Sequence, residues 1–85
     1  MLIYIVEGQT GEYSDNISWP VKAFVSEEKA KEFVEQVSAE YRKIRERCGR
    51  GWNRKKYSNP LDPNMEMDYT GTIYNYYWVE LDETK

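Results

Sequence analysis

Residues 26–48, SEEKAKEFVEQVSAEYRKIRERC, decide the fold. Apolar side chains recur there at Ala30, Phe33, Val34, Val37, Tyr41, Ile44 and Cys48. At about 3.6 residues per turn, these seven stay within an arc of roughly 100°. The spacing predicts one long amphipathic helix with a single buried face. Ser26 stands where an N-cap belongs, Glu27 and Glu28 put negative charge in the first turn, and Arg45 and Arg47 put positive charge in the last; all agree with the helix dipole. Lys29 at the third helical position leaves no capping box. Gly49 follows as a left-handed cap, and Gly51 opposes continuation.

On the N-terminal side of the helix, residues 2–6 form an unbroken apolar run, the pattern of a central strand covered on both faces. Residues 8–18, GQTGEYSDNIS, read as a loop or a wide hairpin connection. Trp19-Pro20 opens a second strand, where Pro is tolerated at the first residue or on an edge. Val21, Ala23 and Val25 then alternate with Lys22 and Phe24 up to the Ser26 cap. On the C-terminal side, residues 49–68 hold two Gly, two Pro and three Asn without a sustained period. Trp52, Tyr57, Leu61, Met65 and Met67 argue for an ordered loop strapped across the domain rather than a disordered one.

Residues 69–81, YTGTIYNYYWVEL, carry the strongest strand signal. Alternation puts Ile73, Asn75, Tyr77, Val79 and Leu81 on one face, expected under the helix. Tyr74, Tyr76, Trp78 and Glu80 fall on the other, to be covered by the long loop or a partner, or left as an exposed platform of rings. The order is β-β-α-β in a single domain, 1–85: an α+β fold with a small antiparallel or mixed sheet and the helix packed on one face.

Eighty-five residues bury only roughly 60–65% of their unfolded surface and leave no material for a second core. One Cys and no His exclude an intramolecular disulfide and a structural zinc site, and point to a reducing cytoplasm. The opening MLIYIVEGQ has neither a basic leader nor a small-residue cleavage site and reads as a strand, not a signal peptide. No stretch approaches the ~18 apolar residues that span a bilayer, so no membrane partner is expected. Aromatics are Tyr-rich, eight Tyr and three Trp against two Phe, a mixture that suits contact surfaces as well as cores. The net charge is −3 but lopsided. Residues 42–56 carry eight basic and one acidic residue, a net of +7, and the other seventy a net of −10.

Catalysis has little to draw on. No His is present for acid-base work, and Cys48 falls on the apolar stripe, where an inert thiol is expected. The carboxylate pairs Glu12/Asp15 and Asp62/Asp68 lack any flanking pattern that marks a site. No enzyme and no cofactor are expected. Asp62, Asn64, Glu66 and Asp68 alternate like the first ligands of a calcium loop, but Met67 takes its glycine position and Ile73 its terminal Glu, so no metal site is read. The basic island offers Arg42, Arg45, Arg47, Arg50, Arg54, Lys55 and Lys56 beside the stackable rings of Trp52 and Tyr57. That combination serves single-stranded nucleic acid, against the repulsion of an acidic body.

Four blocks carry a resemblance. GQTGEYSD at 8–15, WPVKAF at 19–24, and DPN at 62–64 with DYTGT at 68–72 resemble the recurring blocks of a set of small, uncharacterised bacteriophage and prophage proteins. The resemblance implies context only: a phage-derived product in a bacterial host cytoplasm, where small acidic proteins bind and modulate host proteins. Its blocks fall in the loops entering and leaving strands, which makes Glu12, Tyr13, Asp15, Trp19, Asp68 and Tyr69, with Trp52 of the long loop, the candidate partner-binding residues.

A 22-residue helix runs about 33 Å, whereas three or four strands side by side span about 10–15 Å, so the helix is expected to overhang the sheet. Its end, with Tyr41, Ile44 and Cys48, then needs cover from the 52–67 loop or from a second copy of the chain in a homodimer. The function expected is a non-enzymatic protein that binds a host protein through the helix end and the aromatic loops. The alternative is a nucleic-acid-binding module using residues 42–56.

Overall fold

The computed structural model describes residues 1–12, 14, 16–48, 57–68 and 70–82. Its elements run β1 (Leu2–Thr10), β2 (Ile17–Phe24), α1 (Glu27–Cys48) and β3 (Thr72–Glu80), the α+β class and element order read from the sequence. β1 is the middle strand, in the order β2-β1-β3, and pairs antiparallel with both neighbours.

The helix forms as its pattern dictates. Ser26 caps it, its Oγ accepting from the Lys29 amide at 3.4 Å and its carbonyl from the Ala30 amide at 3.1 Å. Ala30, Phe33, Val37, Tyr41 and Ile44 are buried, and Val34 and Cys48 lie half-buried at the margins of the stripe. These five join Val6 of the middle strand, Tyr74 of β3 and Met65 of the long connection in one hydrophobic cluster.

Three expectations are corrected. Gly8, Gln9 and Thr10 belong to β1, not to a loop, so the hairpin connection shrinks to residues 11–16. Gly8 is tolerated in the strand because the Trp19 indole lies directly on it: a Cβ there would stand 2.7 Å from the ring. Next, β1 is covered on one face only. Val6, Gly8 and Thr10 are buried beneath the helix layer, while Ile3 and Ile5 on the opposite face stay half-buried. In β2 the register passes from Val6↔Lys22 to Glu7↔Pro20, so Val21 is an extra, bulged residue. Phe24 and Lys22 therefore turn to the helix side, where Phe24 packs on Phe33 at 5.4 Å and the Lys22 ammonium lies over both rings.

The third correction concerns β3. Its ring face packs under the helix: Tyr74 is buried, and Tyr76 donates to Glu27 Oε2 at 3.1 Å. The aliphatic face with Ile73, Tyr77, Val79 and Leu81 is the exposed one. At the helix end, where the loop and a second copy were both open as cover, the loop is found. Tyr41 and Ile44 are buried in the same cluster as Met65, with Tyr57, Leu61 and Met67 packed against it. Segment 57–68 thus supplies, from within the chain, the cover for which a second copy was the alternative. Residues 49–56, with Trp52, lie outside the described residues.

Candidate functional site

Segment 57–68 docks through two buried polar side chains. Asn59 donates from Nδ2 to the Val37 carbonyl at 3.2 Å, and its Oδ1 accepts from the Leu61 amide at 2.9 Å. Asp62, 1% exposed, accepts at Oδ2 from both Trp19 Nε1 and Tyr74 Oη, each at 2.8 Å. One carboxyl oxygen thus ties β2, β3 and the strap together. Burial, reinforced by the Asp62 acceptor, pushes the Tyr74 phenol well above its ordinary pKa of 10.0. Asn59, Asp62 and Tyr74 of this cluster are almost fully buried. Its chemistry is that of a clamp, in which polar groups are buried because each finds a partner.

A second polar corner closes the far end of the sheet. Thr10 Oγ1 donates to the Gly71 carbonyl at 2.6 Å and stands 3.1 Å from Asp68 Oδ1, and it accepts from the Asp68 amide at 3.2 Å. Thr70 donates to Asp68 Oδ1 from its amide at 2.8 Å and from its hydroxyl, and Gly11 N donates to Thr70 Oγ1 at 3.2 Å. These donors, with the Thr70 hydroxyl foremost and partial desolvation opposing, lower the Asp68 pKa below 3.8. The Tyr41 hydroxyl completes the corner, accepting from Thr72 N at 3.1 Å and Arg45 Nη1 at 2.8 Å. Gly71, at φ +92°, passes beneath them, and a Cβ there would stand 2.9 Å from both groups.

The structure places the candidate residues as follows. Thr10 and Gly11 do meet Asp68, Thr70 and Gly71 at one end of the sheet, and Glu12, next in the chain, is exposed. Trp19 and Asp68, both half-buried, stand in the two polar clusters, Trp19 against Gly8. Tyr13, Asp15, Trp52 and Tyr69 lie outside the described residues. Of the basic set, Arg42, Arg45 and Arg47 are exposed on α1, Arg45 holding Tyr41. Arg50, Arg54, Lys55 and Lys56 fall outside the described residues.

An uncovered sheet face was expected on the ring side of β3, and the structure leaves the aliphatic side uncovered instead. On the side of the sheet opposite α1, Ile3 pairs with Val79, and Ile5 lies between Tyr77 and Ala23. Leu81 follows on the same side, its amide bonded to the Met1 carbonyl at 2.7 Å. Tyr77, Val79 and Leu81 are 43%, 40% and 46% exposed. With Ile3, Ile5 and Ala23 they make an apolar patch on the order of 300 Å², the size at which a patch on a small protein often has a function. Glu7 and Asn75, paired across the same face, form its polar border. The signal was present in the sequence, since both faces of β3 are apolar and a single helix covers one face of a sheet.

Comparison with family models, with curated protein sequences and with solved structures gave no match. Among the described residues no helix is long and apolar enough to cross a membrane.

Proposed function

We propose that this chain is a non-enzymatic protein-binding module whose docking surface is the open face of the sheet. The observation that carries this reading is the contiguous patch of Ile3, Ile5, Ala23, Tyr77, Val79 and Leu81, set on rigid strands and bordered by Glu7 and Asn75. Covering about 300 Å² of apolar surface is worth on the order of 7 kcal/mol before association costs, enough to anchor a partner but not to select one. Selection falls to the polar border, where Glu7 favours a partner whose own apolar patch is edged with Lys or Arg. The polar clusters around Asp62 and Asp68 are occupied by their own neighbours, which supports binding over catalysis. A bacteriophage or prophage product that modulates a host protein is the context proposed, on the resemblance of its loop blocks.

The test is affinity capture from bacterial lysate, followed by binding of the purified partner, with wild type and with Ile3→Lys/Ile5→Lys. Both positions are half-buried on the open face and away from the helix. A partner held by wild type in ~0.5 M salt and lost by the variant supports the reading; a partner held equally by both contradicts it. Arg42, Lys43 and Arg47, exposed along the last turns of α1, favour a second reading as a nucleic-acid-binding module. That reading predicts retention of single-stranded DNA or RNA that falls steeply with salt and disappears in Arg42→Glu/Arg47→Glu.

A further inference from the structure

The sheet ends in two unlike edges. At the β2 edge, Pro20 removes a donor, the bulge at Val21 breaks the ladder and Lys22 brings a charge, three devices that blunt strand addition. The β3 edge has none of them. Its nine residues, TIYNYYWVE, pair with β1 without a register shift, contain no Pro, Gly or Lys, and carry one charge, at the last position. That charge, Glu80, is engaged by the chain's own N-terminus at 2.9 Å. Among the described residues nothing pairs with the outer side of β3.

We propose that β3 pairs antiparallel with β3 of a second copy, about a two-fold axis at Tyr76, joining two sheets into one of six strands. The register is chosen by the side chains. With Tyr76 opposite its own copy, Ile73 faces Val79 and Asn75 faces Tyr77 on the open side. On the helix side Tyr74 faces Trp78, and Thr72 faces Glu80 at each end. Apolar and aromatic residues thus meet one another, and the two Glu80 carboxylates stand about 26 Å apart. The register also places a neighbour beside Trp78. Glu27, the first residue of α1, reaches Tyr76, so Trp78 two residues further on lies past the helix and is 61% exposed, the most exposed aromatic ring of the described residues.

A nine-residue antiparallel pair adds about eight main-chain hydrogen bonds. Its side-chain contact stays below the ~800 Å² per partner of a tight complex, which sets association at micromolar concentrations or weaker. A two-fold axis normal to the sheet keeps both helices on one side and joins the two open faces on the other. The dimer requires no partner protein, so it stands apart from the binding reading.

Light scattering over ~1 μM to ~1 mM reads the mass directly. Wild type should rise from the 10.2 kDa of one chain toward twice that value. Asn75→Lys/Tyr77→Lys and Asn75→Glu/Tyr77→Glu each place like charges opposite one another across the axis at exposed positions, and each should weaken association at least ~10-fold with circular dichroism unchanged. Mixing the two variants pairs Lys with Glu and should restore the dimer. The proposal is overturned by a wild type that stays at one chain's mass throughout, by variants that associate like wild type, or by a mixture that does not recover. The Ile3→Lys/Ile5→Lys chain, altered in the middle strand, should still dimerise even where it loses its partner.

Discussion

Replacing Asp62 by Ala removes the one oxygen that holds Trp19 and Tyr74 together. Tyr74 is buried, so its hydroxyl cannot turn to water, and losing this acceptor costs about 2 kcal/mol. Trp19 is half-buried and its N–H can be hydrated, so its loss is nearer 1 kcal/mol. The Asp62 amide keeps its bond to the Asn59 carbonyl, and the turn itself survives. The total, about 3 kcal/mol, is a large part of the 5–15 kcal/mol of an ordinary domain. In a chain of this size it lowers the melting temperature by about 12–24 °C. Thermal and urea melts followed by circular dichroism measure it, and Tyr74→Phe closes a double-mutant cycle: in the Asp62→Ala background it should cost at least ~1 kcal/mol less than in wild type. A loss under ~0.5 kcal/mol, or no coupling, would refute the view that this oxygen ties the strap to the sheet.

Val37→Asp puts a carboxylate at a position with no exposure and should cost about 4 kcal/mol or more, unfolding the domain by circular dichroism; a parent-like melt removes the helix from the centre of the core. Gly71→Ala forces a side chain into a left-handed backbone and against Tyr41 and Arg45, and should lower stability by about 1–3 kcal/mol in a urea titration, whereas an unchanged midpoint would deny that approach. The Asp68 pKa is lowered in the folded chain, so its stabilisation is present above 3.8 and is lost as pH falls through the folded value. Wild type should therefore melt above Asp68→Asn at pH 7, with the gap closing as the pH falls below 3.8 and through the folded value; a gap that stays constant through acid titration would show that the carboxylate's charge is not what the Thr70 donors stabilise.

The helix was legible in the sequence because its evidence is local: the stripe from Ala30 to Ile44, the Ser26 cap and the charges at its two ends all lie within one segment. The face of β3 was not, because alternation only decides when one face is polar. Here Tyr74, Tyr76 and Trp78 alternate with Ile73, Tyr77 and Val79. What settles the choice is long-range: Asp62 reaches Tyr74 from twelve residues away, and the Tyr41 hydroxyl meets the Thr72 amide across thirty-one. The segment from Asn59 to Asn64 has a turn's composition, and nothing local reveals that Asn59 and Asp62 are almost fully buried. Gly8 read as a loop residue for a similar reason, since the indole that requires it arrives from the next strand. The candidate site was legible in the same partial way: Thr10 and Gly11 do meet Asp68, Thr70 and Gly71, but in a corner whose polar groups bond one another, while the open apolar face follows from the choice of face on β3.

The side of β3 that faces solvent therefore tests the central claim most directly. In a Cys48→Ser background, single cysteines at positions 74, 76, 77 and 79 are labelled with a thiol reagent under native conditions. The account predicts rapid labelling at 77 and 79, slow labelling at 74 and an intermediate rate at 76. Slow labelling at 77 and 79 with rapid labelling at 74 would put the aliphatic face under the helix and remove the proposed docking surface.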